Sequence, residues 1–165
     1  MVWSCLVSIL PGMAQTEKLT DYVNPFVGTD GYGNVYPGAQ IPFGGIQISP
    51  DTDSRFYDAA SGYKYNHLTL MGFSLTHLSG TGIPDLGDFL FIPGTGEMKL
   101  EPGTHEDPDQ GYRSRYSHDK EWASPNYYAV ELADYGVKAE MTSGVRSGMF
   151  RFTYPESDNA FIMID

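Results

Sequence analysis

Apolar and polar residues alternate most regularly in the second half of the chain. Over residues 126–132, Tyr128, Val130 and Leu132 alternate with Tyr127, Ala129 and Glu131. Asp134-Tyr135-Gly136 reads as a turn, after which Val137, Ala139 and Met141 alternate with Lys138, Glu140 and Thr142. A period of two over such lengths predicts a β-hairpin with one packed face and one wet face. Ser143-Gly144 supplies another turn. Phe150, Phe152 and Tyr154 then alternate with Arg151 and Thr153 up to Pro155, and residues 160–164 form a last, almost wholly apolar strand. No segment here spaces its apolar residues three and four apart for long enough to be a helix.

The first half is less regular. Residues 41–48 read as a strand interrupted at Gly44-Gly45, where a bulge or a close backbone approach is expected. Residues 68–73 and 89–92 are further short strands. Residues 97–100 and 112–116 form an expected antiparallel stretch around the acidic loop 101–110. Half-wet sheets bury their apolar faces against each other, so the expected fold is all-β, an antiparallel β-sandwich. The sequence stops at Asp165, directly after an apolar strand and without a closing turn. An incomplete sandwich is therefore expected, with residues 15–165 as its amino-terminal part.

Composition supports short strands and many turns. The 165 residues include 19 glycines, 11 prolines, 12 tyrosines and 9 phenylalanines. Ten basic residues against 21 acidic ones give a net charge of −11, which disfavours binding to a phosphate backbone. Residues 2–10 are apolar and short, and Pro11-Gly12-Met13-Ala14 leads into the polar Gln15-Thr16-Glu17-Lys18. This has the core and small-residue cleavage site of a secretory signal, although its basic start is missing. Cleavage near Ala14 is expected, giving a secreted or periplasmic bacterial protein. The only cysteine, Cys5, lies in that segment, so no disulfide framework or cysteine-based metal cluster is available. No later stretch is long enough to be a transmembrane segment.

Candidate chemistry concentrates in the glycine-rich first half. His77, Ser79 and Thr81 stand beside Gly80 and Gly82, followed by Asp85 and Asp88. The glycines match neither a P-loop nor a dinucleotide fingerprint. Asp51, Asp53 and Asp58 offer oxygen ligands, but Arg55 and Phe56 break the EF-hand pattern. His67, His77, His105 and His118 give no close ligand pair, so no metal site is assigned. No nucleophile elbow accompanies the serines. Phe56, Tyr57, Tyr63 and Tyr65 could offer flat faces to sugar C–H groups, and could equally fill the core.

Taken in order, several strings resemble the amino-terminal domain of glycoside hydrolase family 92. They begin with Tyr22-Val23-Asn24-Pro25-Phe26-Val27-Gly28-Thr29, Tyr36-Pro37-Gly38-Ala39 and Pro42-Phe43-Gly44. They continue through Ser49-Pro50-Asp51-Thr52, Ser61-Gly62-Tyr63 and Gly72-Phe73-Ser74 to Thr76-His77-Leu78-Ser79-Gly80-Thr81-Gly82 and Gly87-Asp88. Tyr112-Arg113-Ser114-Arg115-Tyr116-Ser117-His118, Ala123-Ser124-Pro125 and Ser157-Asp158-Asn159-Ala160 extend the likeness. The resemblance implies an exo-acting α-mannosidase in which a β-sandwich precedes a larger α/α-barrel catalytic domain. It implies inverting hydrolysis, with a general acid, a general base and most ligands of a Ca2+ ion in that downstream domain. No catalytic residue is then expected in this chain, and the piece alone is expected to be inactive. Its partners would be mannose-containing glycans and the downstream domain of the same polypeptide. The expected substrate-binding residues are Phe56, Tyr57, Asp58, His77, Ser79, Gly80, Asp85 and Asp88. The alternative is a free-standing carbohydrate-binding module. The chain departs from many members at Phe56-Tyr57-Asp58-Ala59-Ala60, where tryptophan and cysteine are frequent, and at Leu75, where histidine is frequent.

Overall fold

A computed structural model describes residues 17–53, 57–80 and 88–165, leaving the side chain of Asp58 aside. The expected signal segment lies outside the described residues. Among the described residues ten strands are present: β1 (Ser49–Asp51), β2 (Thr69–Leu70), β3 (Gly72–Ser74), β4 (Phe91–Thr95), β5 (Ser114–Arg115), β6 (Glu121–Ser124), β7 (Tyr127–Leu132), β8 (Val137–Ser143), β9 (Gly148–Thr153) and β10 (Ala160–Ile164). They pair as two four-stranded sheets, β1-β3-β4-β10 and β6-β7-β8-β9, with β2-β5 as a two-stranded ribbon. Every pairing is antiparallel.

The alternation in the second half is realised as expected. Tyr128, Val130 and Leu132 face inward with Val137, Ala139 and Met141, and all six are buried. The register Val130↔Ala139 places them side by side. They share one core with Ile48, Leu70, Phe73 and Tyr116. Rings cross between the sheets, Phe73 meeting Phe152 at 6.2 Å and Phe91 meeting Phe150 at 4.9 Å between centroids. Phe73 is the fully buried ring of the four, and burial of that kind contributes on the order of 1.5–3 kcal/mol. The fold is an all-β sandwich of antiparallel sheets.

Four expectations are corrected. Residues 41–48 are not a strand: Gly44 N–H closes a turn on the Ile41 carbonyl at 3.0 Å, and only the bridge Ala39↔Ile48 precedes β1. Pro42 has no N–H for a ladder, which favours the turn. Residues 68–73 divide at Met71 into β2 and β3, which belong to different sheets. The expected pairing of 97–100 with 112–116 gives way to β5 pairing with β2, although Tyr112 N–H still reaches the Glu101 carbonyl at 2.8 Å. The strand expected at 89–92 runs instead from Phe91 to Thr95, through Pro93 and Gly94. Strand β6 was not foreseen. It folds back on β7 through Pro125-Asn126, with Asn126 at φ +60°.

Candidate functional site

Strand β1 pairs with β3 so that Ser49 lies opposite Ser74 and Asp51 opposite Gly72. This carries the Asp51 carboxylate toward the chain that leaves β3, where His77 sits three residues beyond Ser74. His77 Nε2 is 2.9 Å from Asp51 Oδ1, and Ser74 Oγ donates to Asp51 Oδ2 at 2.6 Å. His77 Nδ1 lies 2.8 Å from the Gln47 carbonyl oxygen. A carbonyl only accepts, so Nδ1 is the donor of this bond. Asp51, Ser74 and His77 are all buried.

Serine and carboxylate meet the same imidazole nitrogen, with Ser74 Oγ 3.2 Å from Nε2. A hydrolytic triad requires them on opposite nitrogens, so this cluster is not one. Its chemistry is positional: it fixes the loop that runs from His77 toward Gly80. Gly62 completes the packing. At φ +83°, a Cβ there would lie 2.3 Å from Asp51 Oδ1 and 3.0 Å from the His77 ring. Tyr36 covers the histidine from another side, with ring centroids 5.0 Å apart.

Of the expected binding residues, Tyr57, His77, Ser79, Gly80 and Asp88 are among those described. Ser79, Gly80 and Asp88 are exposed, and Tyr57 is 56 % exposed in a short 3₁₀ turn (Tyr57–Ala59). Gly80 N–H donates to the Asn34 carbonyl at 2.7 Å, and Asp88 accepts from Thr76 Oγ1 at 3.2 Å. His77 stands behind them with both ring nitrogens engaged inside the chain. Phe56 and Asp85 lie outside the described residues, as does the side chain of Asp58.

Two polar clusters were not legible in the sequence. In one, His105 Nδ1 lies 2.8 Å from Thr69 Oγ1 and its Nε2 lies 3.5 Å from Asp53 Oδ2. The His67 ring packs on His105 at 4.0 Å, and Arg113 Nη1 donates to the Thr52 carbonyl. This ties the acidic loop to the segment following β1. In the other, Glu121 accepts from Tyr63 at 2.9 Å and from Tyr128 at 2.5 Å, with His118 Nδ1 at 2.6 Å. Burial, reinforced by neighbouring phenols and the Glu121 charge, raises the Tyr63 and Tyr128 hydroxyls well above the usual tyrosine range. Tyr63 is thus core, while Tyr65 stacks on His118 at 3.9 Å.

A calcium ion does not fit the described carboxylates. Asp51 is committed to His77 and Ser74, and Asp53 points toward His105. Among the described residues no group of three or more His, Cys, Asp or Glu is arranged to hold a metal ion. No described helix is long and apolar enough to cross a membrane. A groove of about 660 Å³ opens between Tyr116, Lys120, Glu131, Lys138 and Tyr154, away from the His77 cluster. Its Glu131 is already paired with Lys120 at 3.1 Å.

The ordered strings and the two-sheet sandwich agree with a family model described as the glycosyl hydrolase family 92 N-terminal domain, which matches residues 22–165. The chain belongs to glycosyl hydrolase family 92. An uncharacterized secreted glycosidase of Arthroderma benhamiae is 30% identical over 139 residues, covering 83% of this chain and 17% of the relative. A solved GH92 inverting mannosidase from Bacteroides thetaiotaomicron superposes with a TM-score of 0.70 at 28% identity, covering 91% of this chain and 20% of that one. A second solved GH92 glycosyl hydrolase gives a TM-score of 0.68 at 33% identity, with 82% and 19% covered. The chain spans between 17% and 20% of the length of these relatives.

Proposed function

We propose that this chain is the amino-terminal sandwich of a secreted GH92 glycosidase that removes terminal α-linked mannose from glycans by inverting hydrolysis. Its loops beside His77 form one wall of the substrate site, and a downstream catalytic domain of the same polypeptide forms the rest. The carrying observation is the match of the GH92 N-terminal domain across residues 22–165. The 28% identity to a protein named an inverting mannosidase supports the reaction class.

The site geometry supports the division of labour. Tyr57, Ser79, Gly80 and Asp88 face solvent, while the cluster of Asp51, Ser74 and His77 holds the loop behind them. Inversion needs an acid and a base carboxylate about 6.5–9.5 Å apart with water between them. Asp51 and Glu121 are each engaged by donors of this chain and Asp53 lies 3.5 Å from His105, which supports a reading in which both carboxylates and the calcium site belong to the downstream domain.

The full-length gene product, assayed on α-linked mannobiosides by NMR, is expected to release mannose that appears first as the β-anomer. The 165-residue chain alone is expected to release none. A full-length protein that leaves all α-mannosides intact would overturn the reading. Saturable glycan binding without hydrolysis would instead favour a free-standing binding module.

A further inference from the structure

Among the described residues, three other than glycine have positive φ: Asn34, Phe43 and Asn126. Asparagine tolerates that conformation, whereas a bulky aromatic rarely occupies it. Phe43 sits at φ +60° in the third position of the turn Ile41-Pro42-Phe43-Gly44. With proline second, this position ordinarily falls to glycine. The Phe43 side chain is also as exposed as an isolated residue, so no packing within its own chain repays the strain. Strain of this sort persists where something outside the local structure uses it.

The turn does not stand alone. Gly45 N–H donates to the Val145 carbonyl at 2.9 Å, joining it to the β8–β9 turn, which Gly144 N–H closes on the Ser147 carbonyl at 2.7 Å. A Cβ on Gly44 would lie 3.5 Å from the Gly144 carbonyl oxygen, so the two turns are in close contact. Val145 is 59 % exposed there, and Arg146 is exposed beside it. The next strand, β9, is an edge strand with one face of Met149 and Arg151 turned outward.

We propose that Phe43 and Val145 form an apolar knob that docks into the domain following this unit in the GH92 polypeptide. The inference rests on the two-domain reading above. That occupant is favoured because the matched family unit is an N-terminal domain and this chain spans at most 20% of its solved relatives. The knob is therefore a positioning device, which holds the sandwich against the catalytic partner.

Hydroxyl-radical footprinting of the full-length protein tests this. Phe43 is expected to be oxidised about tenfold more slowly than in a free peptide spanning residues 39–47. Oxidation within about twofold of the peptide would overturn the docking. Protection that disappears on dilution would assign the knob to a second copy and overturn it too. Phe43→Gly gives an independent sign. Glycine accepts φ +60°, so an undocked turn would gain or keep thermal stability, whereas a docked one loses several degrees in Tm. Intact mass separates the two levels of the argument. A mature protein near 18 kDa removes the two-domain reading and the knob's occupant together. A larger, active mannosidase with a freely oxidised Phe43 removes the knob alone.

Discussion

At the residue scale, the commitments of His77 decide what the glycine-rich loop can do. Both of its nitrogens are spent on Asp51 and Gln47, so on the proposed function His77 acts by holding the backbone of residues 78–80. His77→Ala would strand the Asp51 carboxylate with Ser74 as its remaining partner in a buried place. Breaking a buried pair in this way costs about 3–5 kcal/mol. Urea unfolding of the full-length protein should show a loss of that order, and an unchanged midpoint would refute the pairing. Gly62→Ala should fall in the same direction, because the new methyl would collide with Asp51 and occupy a strained φ. The loop stood out in the sequence by its density of glycine, serine and histidine. The Asp51 partner was not, because the two residues are 26 positions apart and meet only through the β1–β3 register.

At the element scale, the long strands were legible and the short ones were not. Residues 127–132 and 137–143 each carry several repeats of the period-two pattern, which leaves little ambiguity about which face is buried. Strands of two or three residues, such as β2, β3 and β5, contain one repeat or less, and their partners are set by tertiary packing. The outer face of the β8–β9 pair yields a pH prediction. Glu140 is held down to about 2, first by the bidentate hydrogen bonds of Arg151 and next by the Tyr127 hydroxyl. Its carboxylate is therefore favoured by folding. That contribution is complete above the ordinary value of 4.5 and is lost as the pH falls toward about 2. Arg151→Gln should raise the Glu140 titration toward 4.5 and shift acid unfolding to higher pH. Side-chain NMR titration with circular dichroism would register both, and an unmoved Glu140 would contradict the assignment.

For the whole molecule, the proposed division between this scaffold and a downstream catalytic domain predicts how metal removal should act. A chelator is expected to abolish mannoside turnover by the full-length protein while leaving amide exchange in β7 and β8 unchanged. Faster exchange in those strands after chelation would locate the ion in this unit instead. Fold class was readable at this scale because alternation dictates sheets and sheets with one apolar face must pair. The way the sheets are joined was hidden, since it turns on Met71, the single residue between β2 and β3. That residue works like one stitch shared by two fabrics: the ribbon ends at Leu70 and the large sheet resumes at Gly72. Side chains in extended chain change sides at every step, so deleting this stitch would drive Phe73 into the buried Asp51–His77 cluster and Ser74 into the oily seam. The histidine clasp and the aromatic interior would fail together, from the loss of one buried methionine.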